Sequence, residues 1–159
     1  MKYGDVTVKA KKPSTKGSLV TTELLVTHAS GGGTRKIKHL QFLGWPDHGC
    51  PNSPEEFITL LEAFKKLVAG SSPDAGRPIV HCSAGVGRTG VLIFVRVLED
   101  KLKQGLIPDL KAILTELRDQ RVTLVQTLVQ FEFAIKTALY LVGGADMVAG
   151  LDGDDAYDV

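Results

Sequence analysis

The sequence predicts one α/β (α+β) domain, a twisted mixed sheet flanked by helices. Three observations predict it. Residues 1–43 alternate apolar and polar side chains, as half-buried strands do. From Ser53 onward the apolar period lengthens to that of helices. Between the first and second helices, a short apolar run, Pro78-Ile79-Val80, enters a glycine-rich turn, giving a strand–turn–helix unit at the centre.

The alternation places strands at about 3–10, 19–28 and 35–43, with Val6 and Val8, Leu24 and Val26, and Ile37 and Phe42 as the apolar markers. Lys12-Pro13-Ser14 and Ser30-Gly31-Gly32-Gly33 supply the turns. Ser53-Pro54-Glu55-Glu56 is a helix start, with a capping serine, proline at the first helical position and a glutamate three residues on. Phe57, Leu60, Leu61, Phe64, Leu67 and Val68 then mark one face, and Gly70 ends the helix. A second helix is expected from about Arg88 to Gln104, stopped by Gly105. Its first turns (Val91 to Val95) are apolar on most sides, as in a central buried helix. Leu110, Ile113, Leu114 and Leu117 mark a third helix. The fourth is expected from about Leu124 to Val142, closed by Gly143-Gly144. The Gly/Asp-rich tail, 143–159, is expected to lack regular structure.

With 159 residues, 43% hydrophobic and 23% charged, the chain has the composition of a globular domain, not of a disordered chain, a collagen or a coiled coil. Only two cysteines, Cys50 and Cys82, are present. That excludes a disulfide scaffold and fits a reducing, cytoplasmic setting. The net charge of +1 is unevenly spread: residues 1–40 carry eight Lys/Arg against Asp5 and Glu23, and residues 143–159 carry five Asp and no base. The basic start is read as a solvated face. No aromatic or Gly-Arg interleaving points to nucleic acid, and no Cys/His spacing points to a metal. The start of the chain shows no signal peptide. The most apolar stretch, Leu124 to Val142, contains Gln126, Gln130, Glu132 and Lys136, so a membrane span is not expected.

The stretch richest in chemistry is His81-Cys82-Ser83-Ala84-Gly85-Val86-Gly87-Arg88-Thr89-Gly90. Between a strand and a helix start, backbone N–H groups and the positive helix end converge on one anion. Cys82 opens the loop and Arg88 closes it, so a curled loop sets the sulfur under the anion and the guanidinium beside it. A thiol in such a nest exists largely as thiolate. Competing readings are weaker. Gly85, Gly87 and Gly90 match a dinucleotide pattern, but no ribose-binding acid follows at the expected distance. The Gly-Lys-Ser/Thr of a Walker loop is absent. His81 and Cys82 are adjacent in a strand and point to opposite faces, which disfavours a protease dyad. The remaining alternative is a buried, inert cysteine. Phosphoryl transfer to a thiolate needs an acid for the leaving oxygen, and Asp47, in Trp45-Pro46-Asp47-His48-Gly49, is the candidate.

Together these residues resemble the protein tyrosine phosphatase family. His81 to Thr89 meet its His-Cys-x-x-Gly-x-x-Arg-Ser/Thr motif. Trp45, Pro46 and Asp47 meet the mobile loop of its tyrosine-specific branch. Arg121-Val122-Thr123-Leu124-Val125-Gln126-Thr127, with Gln130, looks like its glutamine loop. The resemblance covers residues 3–142 and implies the following roles. Cys82 is the nucleophile. Arg88 and the amides of Ser83, Ala84, Gly85, Val86, Gly87 and Arg88 hold the phosphoryl oxygens. Asp47 is the general acid and then the base, and Trp45 and Pro46 anchor its loop. Gln126, helped by Gln130, positions water. Thr89 stabilises the leaving thiolate, and His81 supports its low pKa. No metal or other cofactor is implied, and the partner is a phosphotyrosyl protein. The chain corresponds to about the C-terminal three-fifths of the family domain and contains no Asn-Arg-Tyr, the loop that sets pocket depth for phosphotyrosine. Self-association or a completing partner chain is one expectation from this. The alternative function is a phosphate-capturing module without turnover. Cys50 is read as a loop cysteine, with a resolving thiol as the other possibility.

Overall fold

The computed structural model describes residues 1–46 and 49–149, the side chain of Ala149 excepted. Asp47, His48 and tail residues 150–159 lie outside the described residues. The chain forms two compact units, Met1–Trp45 with Glu55–Gly70, and Pro46–Pro54 with the residues from Ser71 on.

The first unit is an antiparallel sheet and one helix. Its strands are β1 (Lys2–Tyr3), β2 (Val6–Ala10), β3 (Ser14–Lys16), β4 (Leu19–His28) and β5 (Thr34–Phe42). The ten-residue β4 is the spine. It pairs β2 and β3 on one side and β5 along the other, with Val8 opposite Val26 and Ile37 opposite Leu24. The alternation at spacing two sets this register, because a slip by one residue would turn every side chain to the wrong face. Helix α1 (Glu55–Ala69) buries Phe57 and Leu61. Phe57 meets Phe42 and Trp45 edge-on, at centroid distances of 5.9 and 5.4 Å. Glu56 Oε2 accepts a 2.6 Å hydrogen bond from Ser18 Oγ, which ties the start of α1 to the start of β4. Gly44 leaves room for that contact: a Cβ there would lie 2.6 Å from Glu56 Oε2 and 2.7 Å from the Phe42 ring, and both side chains would have to shift.

The second unit is helical: α2 (Gly87–Lys103), α3 (Leu110–Gln120), α4 (Leu128–Gly143) and a final turn, α5 (Asp146–Ala149). Its core is Val91, Phe94, Val95 and Leu98 of α2, Ile113 and Leu117 of α3, and Phe133, Ala134 and Ala138 of α4. Phe94 stacks on Phe131 at 5.4 Å. Glu99, fully buried on α2, is paired with Arg96 one turn before it and with Lys103, 2.6 Å away, one turn after it.

The predicted fold class holds, with five differences. The strand expected at 3–10 is two, β1 and β2, with a turn at Gly4-Asp5 between them, and Ser14–Lys16, expected in a turn region, form β3. The sheet is antiparallel, not mixed, because Pro78-Ile79-Val80 forms no ladder among the described residues. Pro78 has no N–H to donate, and Ile79 is 90% exposed. Helix α4 starts at Leu128, not near 124: Thr123 and Val125 adopt left-handed φ of 63° and 57°, which a helix cannot contain, and Thr127 caps the helix through the Gln130 amide. Leu124 and Val125 are apolar because a loop buries them. Lastly, Asp146–Ala149 form a helical turn inside the stretch expected to be unstructured.

Candidate active site

The loop 82–88 leads directly into α2. That helix has Val86 at its N-cap position and no side-chain cap. Its first-turn N–H groups therefore lack the usual side-chain acceptor, which leaves a positive helix end at the loop. The chain turns at Gly85, whose φ of +70° favours glycine, and this turn brings the Gly85 N–H to 3.2 Å from Cys82 Sγ.

The sulfur is half-buried. Burial pushes its pKa up, but the Thr89 hydroxyl and the backbone amides of Thr89, Gly85 and Val86 outweigh that effect and bring the thiol down to about 7. Thr89 Oγ1 is itself buried, with no conventional hydrogen-bond partner. The sulfur is the acceptor this buried hydroxyl faces, and a thiolate accepts better than a thiol, so the hydroxyl favours the charged form. The site thus holds a thiol ionised near neutral pH with three backbone N–H donors directed at it, a combination suited to attack on an anion.

What aims those donors inward is a residue to which the sequence reading gave no role. Arg121, just past α3, donates from Nε to Gly85 O (3.0 Å) and from Nη2 to Ala84 O (3.1 Å). By holding two carbonyls on the outside of the loop, the fork turns the peptide dipoles so that N–H groups face the sulfur. Arg118 does the same for the neighbouring loop, donating to Leu124 O at 2.9 Å and Val125 O at 2.7 Å. Two arginines three apart at the end of a helix lie on one face, and that spacing was the available signal.

The two loops touch through backbone. Val125 N–H donates to Val86 O at 3.2 Å. Gly90 permits this approach, since a Cβ would fall 2.4 Å from Val125 N. Gln126 and Gln130 come to the start of α2: a Cβ on Gly87 would lie 2.6 Å from Gln126 Oε1 and 3.0 Å from Gln130 Nε2. Gln130 Oε1 accepts from the Gln126 amide at 2.9 Å, which fixes the first glutamine by the second.

The remaining expected residues fall as follows. The Arg88 side chain is exposed, and Nη2 donates to Pro46 O at 3.2 Å, linking the end of the cysteine loop to the Pro46 segment. Asp47, the expected acid, lies outside the described residues. Trp45 is buried in the first unit against Phe57. Ser83 and Ala84 are exposed on the loop, and Val86 is buried. His81 is exposed, with Nδ1 3.3 Å from Cys82 O; the groups that lower the thiol are those named above. Cys50 is half-buried, and burial pushes its thiol up to about 11. Among the described residues no group of three or more His, Cys, Asp or Glu is placed to hold a metal ion, and no helix is long and apolar enough to cross a membrane.

Comparison with known proteins agrees with this geometry. A family model described as protein-tyrosine phosphatase matches residues 1–140. The chain is 34% identical over 152 residues to tyrosine-protein phosphatase non-receptor type 21 of Rattus norvegicus, covering 92% of this chain and 13% of that protein. It is 38% identical over 135 residues to receptor-type tyrosine-protein phosphatase alpha of Homo sapiens, covering 84% of this chain and 16% of the relative. Among solved structures, the catalytic domain of human protein tyrosine phosphatase non-receptor type 18 superposes with a TM-score of 0.74 at 33% identity, over 87% of this chain and 49% of that one. The chain therefore spans a small fraction of the curated relatives' length and about half of a solved catalytic domain. The cysteine loop, the glutamine loop packed on it and the match across residues 1–140 together make this chain a member of the protein-tyrosine phosphatase family.

Proposed function

We propose that the chain hydrolyses phosphotyrosine in proteins through a phosphocysteine intermediate, in a cytoplasmic setting. The observation that carries this reading is the Cys82 thiol, lowered to about 7 inside a loop of inward amides that ends at Arg88. In the first step the thiolate attacks phosphorus, an S–P bond forms and the bond from phosphorus to the tyrosine oxygen breaks. Asp47 gives its proton to that oxygen. Loop amides from Ser83 to Arg88 and the Arg88 guanidinium hold the three equatorial oxygens as charge builds on them. In the second step a water positioned by Gln126, with Gln130 behind it, attacks phosphorus. Asp47 takes the water's proton, the S–P bond breaks, and phosphate and the Cys82 thiolate are released. The Thr89 hydroxyl stabilises the sulfur as it leaves. Trp45 and Pro46 anchor the segment that carries Asp47.

The test is hydrolysis of p-nitrophenyl phosphate near pH 6 by the wild type, Cys82→Ser and Asp47→Ala. Turnover by the wild type is expected, with none from Cys82→Ser and a loss on the order of 10²–10⁴-fold from Asp47→Ala. A folded wild type as inactive as Cys82→Ser would overturn the reading and leave a module that captures phosphate without turning it over.

A further inference from the structure

The sheet of the first unit has a face that the catalytic reading does not use. Side chains opposite one another in an antiparallel ladder share a face, so the register assigns them. Lys9 faces Leu25, which faces Lys36. One step along, Glu23 faces Lys38 on one side. On the other side its backbone O accepts from Lys11 N, and its carboxylate pairs with Lys11 Nζ at 2.5 Å. Two rows of lysines thus flank β4, and all four lysines are exposed. Lys9 and Lys11, like Lys36 and Lys38, are two residues apart, so along each row their Cα atoms are spaced by about 6.8 Å, twice the rise per residue, and the two rows lie roughly 9.6 Å apart. Glu23 is the single acid in the grid. Lys11 chiefly, with Lys36 and Lys38, lowers its carboxyl pKa, although desolvation pulls the other way. Three of the four lysines thus act on the one acid, and the four lysines with Glu23 leave a net charge of +3 on the patch.

We infer that this lysine grid is a docking surface for an extended acidic polypeptide segment whose carboxylates recur at every second residue. An extended chain repeats one face every two residues, with the same ~6.8 Å spacing as the lysines, so two carboxylates of one segment meet two ammonium groups of one strand. The next row, Thr27 and Thr34, hydrogen-bonded to each other at 2.9 Å, adds hydroxyls at the margin. A nucleic acid suits the grid less well. The grid offers neither an aromatic ring for stacking a base nor an arginine fork for a phosphate. The inference does not rest on phosphatase activity.

The test is fluorescence anisotropy with the full chain and a labelled (Asp-Thr)5 peptide, in about 50 mM salt where the Debye length exceeds the grid spacing. The variants are Lys9→Glu with Lys11→Glu, and Lys36→Glu with Lys38→Glu. A control of equal charge change, Arg35→Glu with Lys111→Glu, lies off the grid: Arg35 pairs with Val26 on the opposite face of the sheet, and Lys111 is exposed on α3. Circular dichroism verifies that each variant folds. Each grid pair is expected to weaken binding about tenfold or more, and the control by less than about threefold, as expected when direct ion pairs are lost and not general charge alone. Binding is also expected to be tighter than that of a block peptide of five Asp and five Thr, and unchanged when residues 150–159 are removed. Equal losses from control and grid variants would overturn the inference, as would equal affinity for the block peptide. Tighter binding of a single-stranded oligonucleotide of equal charge would instead assign the face to nucleic acid. A gain in affinity on removing 150–159 would make this chain's own acidic tail the occupant, overturning the assignment to a separate partner.

Discussion

Two loops of the second unit each carry a half-buried cysteine, and their thiols move in opposite directions. At Cys50 burial acts alone and pushes the pKa up to about 11. At Cys82 burial also pushes upward and is the largest single influence, yet the thiol settles at about 7, because Thr89 and three backbone amides stabilise the charged form. Both sulfurs are partly withdrawn from water, so burial does not separate a reactive cysteine from an inert one. The separation comes from where the surrounding peptide dipoles point, and Gly85, the uncapped start of α2 and the Arg121 fork set that direction.

The sharpest way to break this comparison is alkylation by iodoacetamide at pH 7, read by mass spectrometry at each cysteine. Thiolate fractions differ by about four orders of magnitude between pKa values of 7 and 11, and the weaker nucleophilicity of the more acidic thiol returns about two of those orders. Cys82 should therefore react on the order of 10² times faster than Cys50. Comparable rates would refute the distinction.

Next in size is Thr89→Ala. A hydrogen bond to a charged group is worth roughly 1.5–3 kcal/mol, so its loss should raise the Cys82 thiol by about one to two pH units. The sign is fixed: the thiolate is the reactive form and is lost as pH falls through the pKa, so a raised pKa moves the acid limb of kcat/KM upward. At pH 6 alkylation of Cys82 should slow by roughly tenfold. An unmoved acid limb would mean that the hydroxyl does not reach the sulfur.

Arg121→Ala should act more mildly, through the loop's orientation. Losing two exposed hydrogen bonds of about 0.5 kcal/mol each, about 1 kcal/mol together, predicts inhibition by inorganic phosphate weakened roughly fivefold, together with a higher Cys82 pKa. Arg121→Lys should recover only part of this, because an ammonium cannot span two carbonyls as a fork does. Full recovery by lysine would reduce Arg121 to a simple charge. The smallest effect belongs to Cys50→Ser, which should leave p-nitrophenyl phosphate turnover within about twofold of wild type, as expected of a neutral loop thiol.

Much of the candidate site was legible because its chemistry is local. Cys82 and Arg88 must sit on one short loop to share an anion, Gly85 must turn that loop, and α2 must start at its end; all of these are statements about neighbours in sequence. Helix α1 was legible within two residues, because its caps and its apolar face agree. Leu124 and Val125 misled for the converse reason. Their hydrophobicity records burial, and a period cannot say whether a helix or a loop does the burying; the left-handed backbone at Thr123 and Val125 shows that it is a loop. Pro78-Ile79-Val80 reads as a strand by composition, but a strand exists only when another backbone pairs with it, and composition carries no partner.

The sequence by itself determined the class of fold, the main strand segments and the placing of Cys82 and Arg88 on one short loop before a helix, because period, turn chemistry and short-range spacing are properties of adjacent residues. Tertiary structure alone decided which donors reach the sulfur, that Arg121 clasps carbonyls 36 and 37 residues away, that Gly90 admits Val125 N, and that Lys11, Lys36 and Lys38 meet at Glu23. Each of these depends on segments distant in sequence meeting at hydrogen-bonding or van der Waals distance, and only packing of the whole chain sets those distances.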